Sequence, residues 1–127
     1  MPPNSNHLRT CAENRRKLLD KYEDEVLIIP GNFLRQKNSD VHYDFRQNSD
    51  FAYLCPYPEP DSLILLDAAD RNFTLFVPPK DPHRELWDGP RHGVDGARDI
   101  FQADRVFSNE NMSSKIPELV RNRRVLF

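Results

Sequence analysis

Residues 43–60 read YDFRQNSDFAYLCPYPEP, and no other stretch of the chain specifies its local structure so densely. Val41, Tyr43 and Phe45 alternate with polar residues, and this period of two predicts a half-buried strand that runs into the stretch. A polar corner follows, where Asn48 or Ser49 can cap a short helix, because a short oxygen side chain accepts from the free N–H groups at a helix start. Prolines at positions 56, 58 and 60 end that helix and impose an extended exit. The predicted helix carries Phe51, Tyr53 and Leu54.

Length and charge limit the class of protein. With 127 residues the chain has the size of one domain with one core. Its 18 basic and 20 acidic residues are interspersed and leave a formal net charge of −2, whereas a nucleic-acid-binding surface needs a basic surplus. No segment approaches the ~20 apolar residues of a membrane span, and residues 1–5, which we expect to be a loose leader, do not open a secretory signal. The predicted protein is cytoplasmic, with no nucleic-acid or membrane partner.

Three apolar runs predict the centre of a sheet. Residues 26–29 form a continuous apolar run that a Pro-Gly pair ends, which is typical of a strand covered on both faces. Residues 63–66 and 73–77 are two further runs, and the short connection rich in Asp and Asn between them predicts an antiparallel hairpin. Strands that alternate with helices predict an α/β layered domain of about five or six strands. The remaining predictions are a polar loop at residues 32–39 and a short strand at residues 106–107.

The first helix is predicted to begin at Asn6, its cap, and to run to about Tyr22 with one apolar face. Arg15 falls at the edge of that apolar stripe. A long side chain at such a position usually lays its stem along the core and keeps its charge in water. The alternative for Arg15 is a salt bridge to another domain.

Later helices are predicted from their start signals. The pair Asp81-Pro82 combines a cap with a first helical residue that needs no N–H donor. Residues 96–102 are predicted to form a short helix. Ser114 is predicted to cap the last helix, with Pro117 still in the first turn, where a missing N–H costs no hydrogen bond.

Few residues combine into a chemical site. Asp40, His42 and Asp44 share one strand face, where they can hold a cation or simply form the wet side of an edge strand. Cys11 and Cys55 show no disulfide framework and are predicted to be reduced and partly buried. The sequence therefore predicts neither a catalytic nor a metal-binding residue in this chain.

Arg46 and Trp87 are the candidates for contact with another domain or subunit. Arg46 can pin the corner through forked hydrogen bonds to Asp44, Asp50 or local carbonyls, or it can lie at an inter-domain interface. Trp87 is the only tryptophan in the chain. It can belong to the core or lie partly exposed at an interface, where tryptophan is enriched.

Several pieces of the chain, in this order and spacing, resemble the N-terminal domain of aminopeptidase P, the Xaa-Pro aminopeptidase of the creatinase/prolidase ("pita-bread") superfamily. They are RQNSDF at 46–51, YL at 53–54, EP at 59–60, LFVPP at 75–79 and ELWDG at 85–89, and the similarity spans roughly residues 8–127. The resemblance implies a mixed, ribonuclease-H-like sheet flanked by helices. It also implies a structural signature made of Asp40, Asn48, Ser49, Asp50, Phe51 and Tyr53.

This chain departs from the family at Cys55-Pro56, since the family usually has a glycine after the aromatic helical turn. Glycine permits a positive φ and proline forbids it, so we expect the turn to differ here.

The resemblance also implies a function. Members of the family hydrolyse the bond between an N-terminal residue and proline. Two metal ions, usually manganese, activate the water molecule that bridges them. The metal ligands, two Asp, one His and two Glu, lie in a C-terminal domain for which this chain has no room. Residues 1–127 are therefore expected to be one non-catalytic N-terminal domain that serves subunit association and shapes the substrate entrance, with Trp87 next to the substrate. Its expected partners are the catalytic domain, further copies in a homo-oligomer and the peptide substrate of the whole enzyme. The apolar ending at residues 125–127 likewise predicts that the natural chain continues.

Two other hypotheses stay open. An autonomous peptide- or protein-binding module of the same fold would use the aromatic and proline-rich surface around Tyr53, Tyr57 and Trp87. A free-standing small hydrolase would use the acidic strand face at residues 40–44, although neither an activated nucleophile nor a metal set is visible in the sequence.

Overall fold

A computed structural model describes residues 5–31, 36–37, 41–42, 47–57, 61–79 and 92–126. Its elements are α1 (Ser5–Leu19), β1 (Val26–Pro30), β2 (Gln36–Lys37), β3 (Val41–His42), α2 (Ser49–Leu54), β4 (Leu63–Asp67), β5 (Asn72–Val77), α3 (Gly93–Phe101), β6 (Arg105–Ser108), a 3₁₀ turn (Asn109–Asn111), α4 (Met112–Leu119) and β7 (Val125–Leu126). None of the helices in these ranges is long and apolar enough to cross a membrane.

The main sheet has the strand order β6-β5-β4-β1-β7 and is mixed. Its three central strands are antiparallel, β1 to β4 and β4 to β5, whereas the two edge strands pair in parallel, β6 to β5 and β7 to β1. The predicted hairpin is confirmed, with Leu65 opposite Thr74. The mainly apolar runs occupy the centre because strands there are covered on both faces. The predicted mixed α/β sheet flanked by helices is thus confirmed.

The two faces of the sheet are covered unequally. On one face α1, α2 and α3 bury a large cluster, formed by Leu19, Leu27, Phe51, Leu54, Ile64, Leu66, Phe73, Leu75, Val77 and Phe101 among others. On the other face Val26, Ile28 and Leu65 pack against α4, whose apolar side chains are only partly buried. Most of the described core therefore lies between the sheet and the first three helices.

Two predicted helix starts are confirmed only approximately. Helix α1 begins at Ser5, so Asn6 is not its cap; the Asn6 Oδ1 accepts from Arg9 Nη2 at 2.8 Å inside the helix. The helix also ends at Leu19, and a turn carries the chain to Tyr22. Helix α3 begins at Gly93, three residues before the predicted start, and the ring of the preceding His92 packs edge-on against Phe101 with centroids 5.3 Å apart.

The predicted start of the last helix is wrong. Ser114 lies inside α4, where its Oγ donates to the Asn111 carbonyl at 3.1 Å, and Pro117 lies in the helix interior. The reason is the preceding 3₁₀ turn, which Ser108 caps by accepting from the Glu110 N–H at 3.3 Å. That turn leads directly into Met112 and moves the helix start toward the N-terminus.

The prediction of a loop throughout residues 32–39 is also wrong in part. Strands β2 and β3 pair antiparallel, with Gln36 opposite His42, and form a separate two-stranded sheet. The predicted strand at residues 40–45 is therefore confirmed at Val41–His42. Residues 43–46 and the predicted helix start at Asp81-Pro82 lie outside the described ranges.

Candidate functional site

Helix α2 begins at a corner that the sequence predicted. Asn48 is the cap, since its side chain accepts from the Asp50 N–H at 2.9 Å, and this selects Asn48 over Ser49. Gln47 secures the same corner: its Nε2 donates to the Tyr57 carbonyl at 3.0 Å, and its Oε1 accepts from the Asn48 N–H at 3.2 Å. Sequence reasoning gave a pinning role only to Arg46, which lies outside the described residues. No sequence signal distinguished Gln47, because its partners are backbone atoms brought close by the fold.

The other end of α2 is held by side chains of α1. The last carbonyls of a helix have no partner within the helix, and here α1 supplies their donors. Cys11 Sγ donates to the Ala52 carbonyl at 3.5 Å, Asn14 Nδ2 to the Tyr53 carbonyl at 2.8 Å, and Arg15 Nη1 to the Leu54 carbonyl at 2.7 Å. These three side chains lie on successive positions of one helix face, so α1 and α2 are locked together.

The conformation of the turn after α2 shows why Cys55-Pro56 can stand where the family usually has a glycine. Cys55 ends the helix in an extended conformation, with φ −155° and ψ 127°, and its N–H donates to the Phe51 carbonyl. A positive φ is therefore not needed at this position, and no glycine is required.

Arg15 is buried much more deeply than the expectation of a charge in water implied. The residue is only 8% exposed, and its guanidinium carbon lies 4.2 Å from the centroid of the Phe73 ring. Burial lowers the pKa of this guanidinium. The predicted alternative, a salt bridge to another domain, is not tested within this chain.

A groove lies between the end of α1, β1 and α2, and we call it the α2 groove. It has a volume of about 330 Å³ and is lined by Leu18, Leu27, Ile28, Ile29, Pro30, Asn48, Asp50, Tyr53 and Leu54. Tyr53 is 54% exposed, the one large hydrophobic side chain in the described ranges with such exposure. An apolar floor with an aromatic rim and one nearby carboxylate is suited to binding an apolar side chain of a partner. It offers no nucleophile or proton-transfer pair.

The predicted signature residues are partly brought together. Asn48, Asp50 and Tyr53 all line the α2 groove, whereas Phe51 is fully buried beneath it and Ser49 is exposed. Asp40, Arg46 and Trp87 lie outside the described ranges, as does Asp44, and His42 is described only as part of β3. The predicted surface role of Tyr57 is wrong: the residue is 1% exposed and packs edge-on against Phe101, with ring centroids 5.0 Å apart.

Both cysteines are free, as the sequence predicted, but they are fully rather than partly buried. Burial raises the pKa of the Cys55 thiol to about 12 despite the nearby guanidinium of Arg15. Burial also raises the pKa of the Cys11 thiol. The reactive form of a cysteine is the thiolate, so neither thiol is prepared for nucleophilic chemistry at neutral pH.

Comparison with known proteins gives one consistent result. A family model described as "Aminopeptidase P, N-terminal domain" matches residues 11–127. The chain is 36% identical over 102 residues to Xaa-Pro aminopeptidase 3 of Rattus norvegicus, an alignment that covers 76% of this chain and 20% of the relative.

Solved structures agree in fold. Aminopeptidase PepP of Pseudomonas aeruginosa superposes with a TM-score of 0.87 at 34% identity, covering 93% of this chain and 28% of that one. Aminopeptidase P from E. coli superposes with a TM-score of 0.84 at 25% identity, covering 89% and 27%. The chain thus spans only about a quarter of each solved relative.

Proposed function

The chain belongs to the aminopeptidase P N-terminal domain family, and on this premise we propose that it is the non-catalytic N-terminal domain of a Xaa-Pro aminopeptidase. The observation that carries the proposal is the match of residues 11–127 to that domain, together with a fold that covers 93% of this chain but 28% of an aminopeptidase. The parent reaction is the removal of an N-terminal residue that precedes proline. The residues that perform it belong, in this proposal, to a further catalytic domain.

The metal chemistry of such an enzyme is assigned to that catalytic domain. Two divalent ions, manganese by analogy with the family, would activate a bridging water there. Among the residues that the model describes, no group of three or more His, Cys, Asp or Glu side chains is arranged to hold a metal ion. These residues do not fit a two-metal centre, and we assign no catalytic step to them.

The role proposed for this domain is subunit association and shaping of the substrate entrance. Support comes from the α2 groove, where an exposed aromatic ring stands beside an apolar floor. Exposed aromatic side chains next to apolar pockets are typical of the anchor positions of protein interfaces. Arg46 and Trp87 remain proposed contributors to a subunit interface or to the substrate entrance.

The catalytic part of the proposal is tested by incubating this chain with manganese and an Xaa-Pro-Xaa peptide and measuring the released amino acid. We expect no turnover above the rate of the metal alone. Turnover at ordinary enzyme rates would overturn the proposal. A full-length relative assayed in parallel verifies that peptide and metal are suitable.

The association role is tested by light scattering on the full-length enzyme that carries this domain. We expect Tyr53→Ser to shift the assembly toward smaller species, because the substitution removes an exposed aromatic anchor. Ser49→Ala, at an exposed position of the same helix, is the matched control. An unchanged assembly with Tyr53→Ser would remove the α2 groove from the interface.

A second candidate is an autonomous binding module that holds a peptide or protein in the α2 groove. The exposure of Tyr53 favours it, whereas the burial of Tyr57 removes one of the three aromatic residues that the sequence suggested. The two candidates make different predictions about the natural chain. Only the first predicts that it continues into a metal-binding domain.

A further inference from the structure

A second concavity, distinct from the α2 groove, has charged side chains at half of its lining positions. It lies between α1, the start of β5 and the segment that follows α3, and it has a volume of about 330 Å³. We call it the arginine cavity; its polar lining consists of Arg15, Arg16, Arg71, Gln102 and Asp104, and Phe73 forms part of its wall.

Arg15 at this cavity is a largely buried cation that has no ionic partner among the described residues. The residue is 8% exposed, yet no carboxylate in the described part of the chain forms an ion pair with it. Asp104 lies near enough to favour the charged form of Arg15. However, the Asp104 Oδ2 accepts a hydrogen bond from the Phe73 N–H at 2.7 Å. Buried charges in proteins are normally paired, so this guanidinium is an exception that calls for a partner.

The guanidinium also has unused donors. An arginine carries five N–H groups, and the bond from Nη1 to the Leu54 carbonyl is the one hydrogen bond that Arg15 makes within the described ranges. Each side-chain nitrogen of Arg15 either forms a hydrogen bond or remains accessible to solvent. The nitrogens that bond no protein atom therefore keep access to solvent, and Arg15 lines the cavity through which that access is possible.

Two further guanidinium groups stand at the mouth of the cavity. Arg16 is exposed, and Arg71 is held in place by an ion pair between its Nη2 and Asp20 Oδ1 at 2.8 Å. Two carboxylates accompany these three guanidinium groups, Asp104 in the lining and Asp20 in the pair with Arg71, which leaves the site with a positive surplus. The planar fork of arginine matches the two oxygens of a carboxylate or phosphate.

We propose that the arginine cavity binds a small oxyanion, a carboxylate or a phosphate, with Arg15 at its base and Arg16 and Arg71 at its mouth. Stacking on Phe73 and the bond to Leu54 hold the Arg15 guanidinium in one orientation, so the site is organised before the anion arrives. The bound anion would supply the ionic partner that the described residues do not. The proposal does not depend on the enzyme to which the domain belongs.

The test is a titration of the ¹⁵N-labelled chain with inorganic phosphate and, separately, with acetate, at constant ionic strength adjusted with chloride. Constant ionic strength is needed because salt screens the exposed arginines. The readout is the arginine Nε–Hε signals in the NMR spectrum. We expect saturable shifts of the Arg15 signal with at least one of the two anions, and the stronger binder identifies the class of oxyanion.

Site specificity is tested with a matched pair of double variants. Arg16→Gln/Arg71→Gln removes two positive charges at the mouth, and Arg98→Gln/Arg121→Gln removes two exposed positive charges elsewhere. We expect the mouth variant to bind at least roughly tenfold more weakly, the effect of losing one charge-assisted hydrogen bond, while the control binds like the wild type. Neither variant alters Arg15, whose bond to the Leu54 carbonyl joins α1 to α2.

Two results would overturn the proposal. One is a linear, unsaturated response of the Arg15 signal to both anions. The other is equal weakening in the mouth variant and in the control, because that would reflect the overall charge of the chain and not this cavity.

Discussion

Both terminal nitrogens of the Arg123 guanidinium donate hydrogen bonds to the carboxylate of Asp67, which lies 56 residues away in sequence. Nη1 donates to Oδ2 at 2.9 Å and Nη2 to Oδ1 at 2.7 Å, while Nη2 and Nε also donate to the Asp24 carbonyl at 2.7 and 2.9 Å. Asp67 ends β4, and Arg123 precedes β7, the strand that pairs in parallel with β1. The Arg123 side chain thus links the start of β7 to the end of β4 and to the segment that leads into β1.

The ion pair between Asp67 and Arg123 leads us to expect that the free energy of unfolding decreases in acid. Burial raises the pKa of Asp67, but the hydrogen bonds from Arg123 and from the Asp70 and Ala69 amides outweigh it and hold the pKa below its ordinary value. A depressed carboxyl pKa contributes stability above the pKa of the unfolded chain, about 3.9, and that contribution is lost as pH falls through the folded value. We expect Asp67→Asn to cost about 1–2 kcal/mol in the free energy of unfolding at pH 7.

The measurement is urea unfolding of wild type and Asp67→Asn from pH 7 to pH 2. The difference between the two proteins should shrink below about pH 4, since a protonated Asp67 also lacks the charge. Asp95→Asn, at a carboxylate whose side chain is 86% exposed, is the control and should change little. A difference that is the same at pH 7 and pH 2 would contradict the assignment.

Arg15→Met is predicted to destabilise the chain by about 2–3 kcal/mol, because the Leu54 carbonyl then loses its charged donor in a buried place. Arg16→Met, one residue along the same helix but exposed, should cost much less. Urea unfolding at pH 7 measures both. Equal effects of the two substitutions would show that Arg15 acts only through its charge.

Asn48→Ala is predicted to cost about 1 kcal/mol, the usual effect of losing a helix cap. Ser49→Ala should have a smaller effect, because the Ser49 side chain is not the cap. Thermal unfolding compares the two variants. The opposite order would mean that Ser49 caps α2 in solution.

Two glycines should respond in opposite directions to substitution by alanine. A Cβ at Gly31 would lie 2.7 Å from Gln47 Oε1, 3.1 Å from the Ser62 carbonyl oxygen and 3.2 Å from Phe51 Cδ2. We therefore expect Gly31→Ala to cost about 1–3 kcal/mol, as overpacked sites do. At Gly96, inside α3, a Cβ would meet only the His92 Cβ at 3.4 Å, so Gly96→Ala should stabilise by about 0.5 kcal/mol.

The mechanism at Gly31 has its own test. Gln47→Ala removes the closest obstacle, so the cost of Gly31→Ala should be smaller in that background than in the wild type, as a double-mutant cycle would measure. Additive effects would place the strain at the Ser62 backbone instead.

The centre of the sheet could be predicted from the sequence, since the short, mainly apolar runs at residues 63–66 and 73–77 are typical of strands covered on both faces. The start of α2 was also predictable, because a cap is a local interaction, but the sequence left Asn48 and Ser49 as alternatives and the structure selected Asn48. Resemblance to a family added the mixed topology, which spacing alone did not contain.

Tertiary structure alone decided the contacts between residues far apart in the chain. The burial of Arg15 depends on the Leu54 carbonyl and the Phe73 ring, which no local pattern places next to α1. The same holds for the fork between Arg123 and Asp67. The start of α4 was decided by the 3₁₀ turn that leaves the edge of the sheet at Ser108. Caps and apolar periodicity depend on neighbouring residues and can be predicted from the sequence. The partner of a long charged side chain depends on residues far away in the chain, which only the folded structure brings close.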